Sequence, residues 1–261
     1  LTRVSNDALG KFTLNQLDFY GVKRNLVKLE DNESRISLAI VETTVENNQS
    51  IIYRHKASDL FLNKKDIDDA NIEKYQCILI TGTSLAAEPS RSSVLKALEI
   101  ANQNNIPVIM DIDYRPYTWE SELKAKEIYN IVANSCSGVI GNDDEFAILS
   151  GNYSRGLDYA EELSSNCPLV IYKKGEKGSI TFADNKKIVK GIFQVKPLKP
   201  TGAGDAFMGS LIGSFLKGFN LEKALEIGSA AAAIVVTKVG CAPAMPNLEE
   251  ILEFMRTNTI N

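Results

Sequence analysis

The sequence predicts an α/β protein built around a mainly parallel sheet, and two patterns carry this prediction. From about residue 75 onward, short continuous apolar segments alternate with amphipathic ones. Such alternation is typical of parallel strands that helices cover on both faces. In residues 33–57, by contrast, Ile36, Leu38 and Ile40 fall on every second position. This spacing predicts a two-stranded β-ribbon, too small to be a domain, that forms a lid over the sheet or an edge hairpin.

The predicted strands of the main sheet are apolar runs bounded by turn-forming residues. In chain order they cover residues 77–81, 107–111, 138–141 and 168–172, followed by a hairpin of residues 179–182 and 188–191. Asp184 and Asn185 lie between the last two strands. Both residue types tolerate a left-handed backbone, so they favour a tight hairpin turn.

The predicted helices show apolar residues at helical spacing. They cover residues 6–19, 90–102, 121–133, a segment after 142–145, and then 203–217, 221–238 and 248–255. In the helix that begins at residue 203, Ala206, Phe207 and Leu211 form part of one apolar stripe. Together the elements predict one α/β domain over residues 1–261.

The composition excludes several classes of protein. The chain has 261 residues, of which 44% are hydrophobic and 24% charged, as in an ordinary globular domain with a full core. A net charge of −4 argues against a nucleic-acid groove. Its apolar runs are too short for a membrane span, and its first ten residues lack the apolar core of a signal peptide. The four cysteines are far apart and indicate reduced thiols. We therefore expect a soluble, cytoplasmic protein.

The run from Thr201 to Asp205, Thr-Gly-Ala-Gly-Asp, directly precedes a predicted helix. Two glycines allow a tight turn, and the helix start offers N–H groups and a positive dipole end to an anion such as a phosphoryl group. Asp205 is placed to accept a proton from an attacking hydroxyl. A dinucleotide fingerprint is excluded because Phe207 occupies the third glycine position, and no Walker loop occurs. A simple glycine turn with an aspartate at a helix start is the alternative.

This run and its continuation to Gly209 resemble the G-A-G-D signature of the ribokinase (PfkB-type) sugar kinases. The alanine-rich stretch 229–240 resembles the helix beside that family's adenine site. The resemblance implies a ribokinase-like three-layer α/β sandwich with a β lid, dependence on ATP and Mg²⁺, and phosphoryl transfer to a primary alcohol.

The resemblance also implies roles for individual residues. Gly202, Ala203 and Gly204 correspond to the anion hole and Asp205 to the catalytic base. Further implied residues are Lys173, Gly175, Gly178 and Ser229 for ATP, Asn142 and Glu145 for water-mediated Mg²⁺ binding, and Tyr53, Arg54 and Arg115 for the substrate. For Asn142 and Glu145 a helix-start motif is the alternative. For Arg115 the alternative is an ion pair with Asp111 or Asp113.

Three stretches, 53–60, 81–86 and 111–119, resemble the branch of the family that acts on keto-deoxy sugar acids, which is associated with inositol catabolism. A fork-shaped arginine suits the carboxylate of such a substrate. Three alternatives stay open: a kinase for a different keto-deoxy sugar acid, a fructokinase-like enzyme, and a non-catalytic protein that senses a sugar or a nucleotide.

Two departures from the family pattern concern the start of the chain and the loop before Gly202. The sequence begins at Leu1, without the family's N-terminal substrate segment, so we expect that part of the protein precedes it. Lys199-Pro200-Thr201 replaces an aspartate that the family associates with a monovalent cation, which argues against a potassium site. A β-ribbon with an apolar face also predicts a homodimer formed through the lid.

Overall fold

The computed structural model describes residues 1–31, 33–41 and 50–261. These residues form strands β1 (Thr2–Ser5), β2 (Val27–Glu30), β3 (Leu38–Val41), β4 (Ser50–Tyr53), β5 (Ile78–Thr81), β6 (Val108–Asp111), β7 (Gly138–Asn142), β8 (Leu169–Lys173), β9 (Ser179–Ala183) and β10 (Lys186–Lys190). The helices are α1 (Ala8–Phe19), α2 (Lys64–Ala70), α3 (Ser90–Gln103), α4 (Glu122–Ala133), α5 (Asp143–Ser150), α6 (Gly156–Leu163), α7 (Ala203–Leu216), α8 (Leu221–Val236) and α9 (Leu248–Thr257).

The main sheet has six strands in the order β10-β9-β8-β7-β6-β5. Strands β5, β6 and β7 pair in parallel, with Ile78 opposite Val108 and Ile109 opposite Gly138. The first three residues of β6 are buried, as expected for a strand covered on both faces. The predicted α/β fold with a mainly parallel sheet is confirmed.

The hairpin of β9 and β10 forms as predicted. Asp184 and Asn185 take the two turn positions with φ of 50° and 58°. Positive φ at both central residues is the geometry of a two-residue turn that matches the twist of the flanking strands.

The chain divides into two compact units. Unit 1 comprises Leu1–Ala39, Ile51–Tyr172 and Phe182–Lys186, and unit 2 comprises Ile40–Ser50 as far as it is described, Lys173–Thr181 and Lys187–Asn261. Each unit has its own core. In unit 1 the large side chains of Ile112, Tyr129 and Phe146 are fully buried.

The core of unit 2 depends on small residues in the alanine-rich helix α8. Its buried residues include Ala230, Ala231 and Val235. Gly228 lies so close to helix α7 that a Cβ there would be 3.0 Å from the ring of Phe207. A short side chain at this position therefore allows the two helices to pack tightly.

Several elements were not predicted. Strands β1 and β2 form a separate parallel pair with Thr2 opposite Val27, and helices α2 and α6 were missed. Strands β3 and β4 form the predicted ribbon as a two-stranded sheet of their own. Its predicted polar turn at residues 46–48 lies outside the described residues.

The four cysteines are free thiols, as the sequence indicated. Burial raises the pKa of Cys136 to about 12 and that of Cys167 to about 11. Both thiols therefore stay protonated at neutral pH, which suits an ordinary core position. Over the described ranges, no helix is both long enough and apolar enough to cross a membrane.

Gly82, directly after β5, allows two chain segments of unit 1 to approach each other closely. A Cβ on Gly82 would lie 2.0 Å from the carbonyl oxygen of Ile112 and 2.8 Å from Cε1 of Tyr129. A backbone atom cannot swing away as a flexible side chain can, so a methyl group here forces the main chain to shift.

We expect Gly82→Ala to lower the free energy of unfolding by about 1–3 kcal/mol because of this overpacking. Urea denaturation measures the effect. Gly213→Ala in α7 is the control, since its Cβ position has no atom within 4 Å apart from the surrounding backbone of its own helix, and it should stabilise by about 0.5–1 kcal/mol. An unchanged urea midpoint for Gly82→Ala would contradict the packing argument.

Candidate active site

Helix α7 begins with a left-handed turn at Gly202, whose φ is 90°. A Cβ at this residue would be strained by that φ and would lie 3.1 Å from Cγ1 of Val235. Glycine is therefore required here for two reasons, backbone conformation and space. The predicted helix start at Ala203 is confirmed.

Gly202, the residue before the first turn of α7, has no side chain that could cap the N–H groups of that turn. The carbonyl of Gly202 accepts the first helical hydrogen bond, from Ala206 N–H at 3.0 Å. Because helical hydrogen bonds run from an N–H group to the carbonyl four residues earlier, the N–H groups before Ala206 need acceptors outside the helix. That of Ala203 donates to the Pro200 carbonyl oxygen at 3.4 Å. Asp205 lies in this turn and is exposed, whereas Ala206, Phe207 and Met208 are buried and anchor the helix.

Lys173, at the end of β8, adds a positive charge to this helix start. Its Nζ lies 3.6 Å from the position that a Cβ on Gly204 would take. Both residues belong to unit 2. The ammonium group, the backbone N–H groups and the helix dipole all favour an anion in the same place.

The other residues predicted to bind ATP have less specific surroundings. Gly175 is exposed at the start of a short 3₁₀ helix (Gly175–Lys177), with φ of 55°. Gly178 is buried, and a Cβ there would lie 2.0 Å from the carbonyl oxygen of Lys190, so packing already explains this glycine. Ser229 is half-buried on α8. Their roles in ATP binding stay predictions.

In unit 1, Arg54 is held on two sides. Its Nε donates to Oδ2 of Asp59 at 2.8 Å, and its Nη1 donates to the carbonyl oxygen of Thr83 at 2.7 Å. Asp59 also accepts a hydrogen bond from Ser37 Oγ at 2.6 Å. Arg54 is thus fixed in one position, with its side chain only 14% exposed.

Arg115 forms an ion pair with Asp113, which was one of the alternatives that the sequence left open. Its Nη2 lies 2.6 Å from Asp113 Oδ1, and its side chain is 42% exposed. The other oxygen of Asp113 accepts a hydrogen bond from Thr83 Oγ1 at 3.2 Å. Thr83 therefore connects the two arginines: its carbonyl binds Arg54 and its hydroxyl binds the partner of Arg115. We call these five residues, Arg54, Asp59, Thr83, Asp113 and Arg115, the arginine network.

Aromatic side chains lie next to this network. Tyr114 packs edge-to-face against Tyr129, with ring centroids 6.2 Å apart, and Trp119 Nε1 donates to the Tyr129 hydroxyl at 3.1 Å. Burial raises the pKa of both Tyr114 and Tyr129, the latter strongly. Both hydroxyls are therefore neutral at physiological pH. Tyr53, also predicted to contact substrate, is exposed at the end of β4.

Asn142 and Glu145 form a capping box at the start of α5. Glu145 N–H donates to Asn142 Oδ1 at 2.9 Å, and Asn142 N–H donates to Glu145 Oε2 at 2.7 Å. Glu145 is buried. Among the residues that the structure describes, no three His, Cys, Asp or Glu side chains are grouped to hold a metal ion. A Mg²⁺ ion in a phosphoryl-transfer site needs only one or two carboxylates, because water and phosphate oxygens complete its shell.

Three residues of the site were missed from the sequence or given no role. Thr83 lies in a stretch that carried the family resemblance, yet its bridging position depends on tertiary contacts. Asp59 follows Arg54 by five residues. This spacing matches neither a helix nor a strand, so the sequence did not predict their ion pair. Lys199 was noted only as a departure from the family pattern, although its side chain is buried.

The elements above define an α/β protein with a helix start at Gly202 in one unit and an arginine network in the other. A model described as "pfkB family carbohydrate kinase" matches residues 1–248. The chain therefore belongs to the pfkB family and is an ATP-dependent sugar kinase.

One relative is the 5-dehydro-2-deoxygluconokinase of Photobacterium profundum, which is 37% identical over 97% of this chain and 78% of its own length. Among solved structures, a double mutant of Vibrio cholerae O395 fructokinase with fructose, ADP and potassium bound has a TM-score of 0.85 and 23% identity, covering 98% of this chain and 84% of that one. An E. coli protein assigned provisionally as ribokinase II, in complex with ATP and Mg²⁺, has a TM-score of 0.86 and 24% identity. The match covers 98% of this chain and 82% of the E. coli chain. The two structures confirm the ribokinase-like fold.

We expect Arg54→Met to lower the free energy of unfolding by about 1–3 kcal/mol, because it leaves the Asp59 carboxylate and the Thr83 carbonyl without their donor. Thermal or urea unfolding measures the loss. Arg155→Met is the matched control, since Arg155 pairs with Glu162 at the surface and such pairs contribute about 0–1 kcal/mol. Equal losses in the two variants would show that Arg54 has no structural role.

Proposed function

We propose that this chain transfers the γ-phosphoryl group of ATP to the terminal hydroxyl of a keto-deoxy sugar acid, 5-dehydro-2-deoxygluconate, to form its 6-phosphate. The observation that carries this proposal is the arginine network, in which two guanidinium groups are fixed next to the carboxyl ends of β5 and β6. Ligands of open α/β sheets bind at this edge. The name of the Photobacterium relative supports the choice of substrate.

In the proposed reaction the start of α7 binds the transferring phosphoryl group. Its backbone N–H groups and Lys173 offset the negative charge on the phosphoryl oxygens. The substrate hydroxyl oxygen forms a bond to the γ-phosphorus while the bond to the bridging oxygen of ADP breaks. Asp205 takes the hydroxyl proton. Because an aspartate is a weak base at neutral pH, it accepts this proton late, and positioning supplies most of the rate enhancement.

Mg²⁺ is proposed as the metal, and Asn142 and Glu145 as the residues that hold it through water. One carboxylate and one amide fit such an arrangement. When bound there, Mg²⁺ would offset the negative charge of the phosphate groups. The E. coli structure with ATP and Mg²⁺ supports a role for this metal. No monovalent cation is included in the proposal, in contrast to the potassium ion of the Vibrio fructokinase structure.

Arg115 is the residue proposed to bind the substrate carboxylate. A guanidinium group carries five N–H donors, and the ion pair with Asp113 and a contact to the Tyr114 carbonyl use only part of them. Its side chain is also the more exposed of the two arginines. Tyr53 and Arg54 stay proposed as further substrate contacts, and Arg54 also holds the network in place through Asp59 and Thr83.

Further proposals concern the setting of the enzyme. A cytoplasmic role in inositol catabolism follows from the family resemblance of the three stretches named above. The described strands of the ribbon expose Leu38, Ile40 and Ile51, which suits a second copy of this chain as partner.

Within the family, 2-keto-3-deoxygluconate kinase and a fructokinase-like enzyme are the alternatives. A sensor without catalysis is the alternative outside the enzymes, and ligand binding without ADP release would identify it.

We expect Asp205→Asn to reduce kcat about 10²–10⁴-fold, since the variant keeps the shape of the side chain but cannot accept the proton. An ADP-release assay measures kcat, and circular dichroism checks the fold. Asp184→Asn removes the same charge from the exposed hairpin turn and should leave kcat unchanged. Turnover by Asp205→Asn close to that of the parent enzyme would rule out this base.

We expect Arg115→Met to raise KM for 5-dehydro-2-deoxygluconate about 10–100-fold while KM for fructose hardly changes, because only the acid loses a charge-assisted hydrogen bond. Arg155→Met serves as the control for loss of an arginine. The parent enzyme is assayed on 5-dehydro-2-deoxygluconate, on 2-keto-3-deoxygluconate and on fructose. A higher kcat/KM for fructose than for either keto acid would overturn the proposed substrate class.

A further inference from the structure

Lys199 is a buried cation that the proposed mechanism does not use. Only 4% of the residue is exposed, although lysine almost always keeps its ammonium group in water. Burying a charge is costly unless polar groups replace the lost water. Here the Nζ of Lys199 donates a hydrogen bond to the carbonyl oxygen of Thr201. The position therefore has a specific partner, two residues along the same loop.

The backbone around Lys199 is also held in place. The N–H groups of Leu198 and Lys199 both donate to the carbonyl oxygen of Val236, at 2.7 Å and 3.1 Å. Val236 is the last residue of α8, and the carbonyl end of a helix is its negative end. The loop of residues 198–202 thus begins at the negative end of α8, where the helix dipole favours a positive charge.

The Thr201 carbonyl lies directly before the turn that starts α7. The next residue is Gly202, with φ of 90°, and Ala203 N–H donates to the Pro200 carbonyl oxygen at 3.4 Å. A group that holds the Thr201 carbonyl therefore also holds the peptide that leads into the left-handed turn. The orientation of the first N–H groups of α7 depends on that turn.

We propose that the Lys199 ammonium is a built-in monovalent cation that fixes the start of α7, so that phosphoryl transfer by this chain needs no dissolved potassium. This inference rests on the proposed role of the α7 start in binding the phosphoryl group. An ammonium group and a potassium ion have the same charge and both bind carbonyl oxygens. The lysine is tethered to the loop, which keeps its local concentration high, and its charge repels a second cation at the same carbonyl.

The kinetic test compares tetramethylammonium chloride with KCl at equal ionic strength. The wild-type enzyme should show kcat values within about threefold of each other in the two salts. Lys199→Met fills the space without a charge and should lose kcat about tenfold or more in both salts, with a much smaller change in KM. Lys199→Ala leaves room for an ion, and KCl or ammonium chloride should restore its kcat at least about fivefold.

A second measurement does not depend on activity. KCl should raise the Tm of Lys199→Ala by about 2–4 °C above its value in tetramethylammonium chloride, because the ion binds only the folded state. The Tm of the wild-type protein should be the same in both salts. Lys196→Met is the matched control, since Lys196 is an exposed lysine of the same loop, and it should behave as wild type in both measurements.

The outcomes separate the hypothesis of a built-in cation from the proposed role of the α7 start in phosphoryl binding. A wild-type kcat raised by KCl more than about threefold, or a Lys199→Met variant with wild-type kcat, would overturn the built-in cation. So would loss of activity in Lys199→Ala with no response to any cation, because Lys199 would then serve packing alone. If the wild-type protein shows no kinase activity on any sugar but the Tm responses are as expected, the proposed role of α7 fails and the cation assignment stands.

Discussion

The left-handed turn at Gly202 is the constraint on which the proposed phosphoryl-transfer site depends. Any residue with a Cβ would be strained there and would meet Val235. Glycine cannot cap a helix with a side chain, so the start of α7 is open to an anion, which the positive end of the helix dipole favours. The buried run from Ala206 to Met208 then fixes the helix behind them. One backbone conformation thus sets the start of α7, where we propose that the phosphoryl group binds, and hydrophobic burial keeps this helix start in place.

In the arginine network, the positive charges are already paired with carboxylates of the same chain. Each arginine is paired with an aspartate, Arg54 with Asp59 and Arg115 with Asp113. A paired arginine attracts a carboxylate less strongly than a free one, but it needs no reordering when the ligand arrives. Asp113 has a φ of 37°, an uncommon backbone conformation that other contacts must hold. The network therefore favours defined geometry over maximal attraction.

The sequence predicted those elements that depend on the backbone preferences of neighbouring residues. The glycines of the 201–205 run predicted the start of α7, and Asp184 and Asn185 predicted the hairpin turn, because both features depend on the backbone preferences of a few neighbouring residues. Helix α2 was missed because its sequence, KKDIDDA, has almost no apolar stripe. It is stabilised instead by the Asn63–Asp66 capping box and by the ion pair of Asp66 with Arg3. That partner lies 63 residues away in the chain, so no window along the sequence reveals it.

The capping box of Asn142 and Glu145 shows why a motif and its function have to be judged from burial as well as from spacing. The same motif begins α9, where Asn247 and Glu250 make equivalent hydrogen bonds and Glu250 stays exposed. Capping alone therefore does not require a buried carboxylate. Glu145 is buried nonetheless, at the carboxyl end of β7, where desolvation strengthens any interaction of its charge. Burial thus distinguishes this capping box from the one at α9, although the spacing of the two motifs is the same.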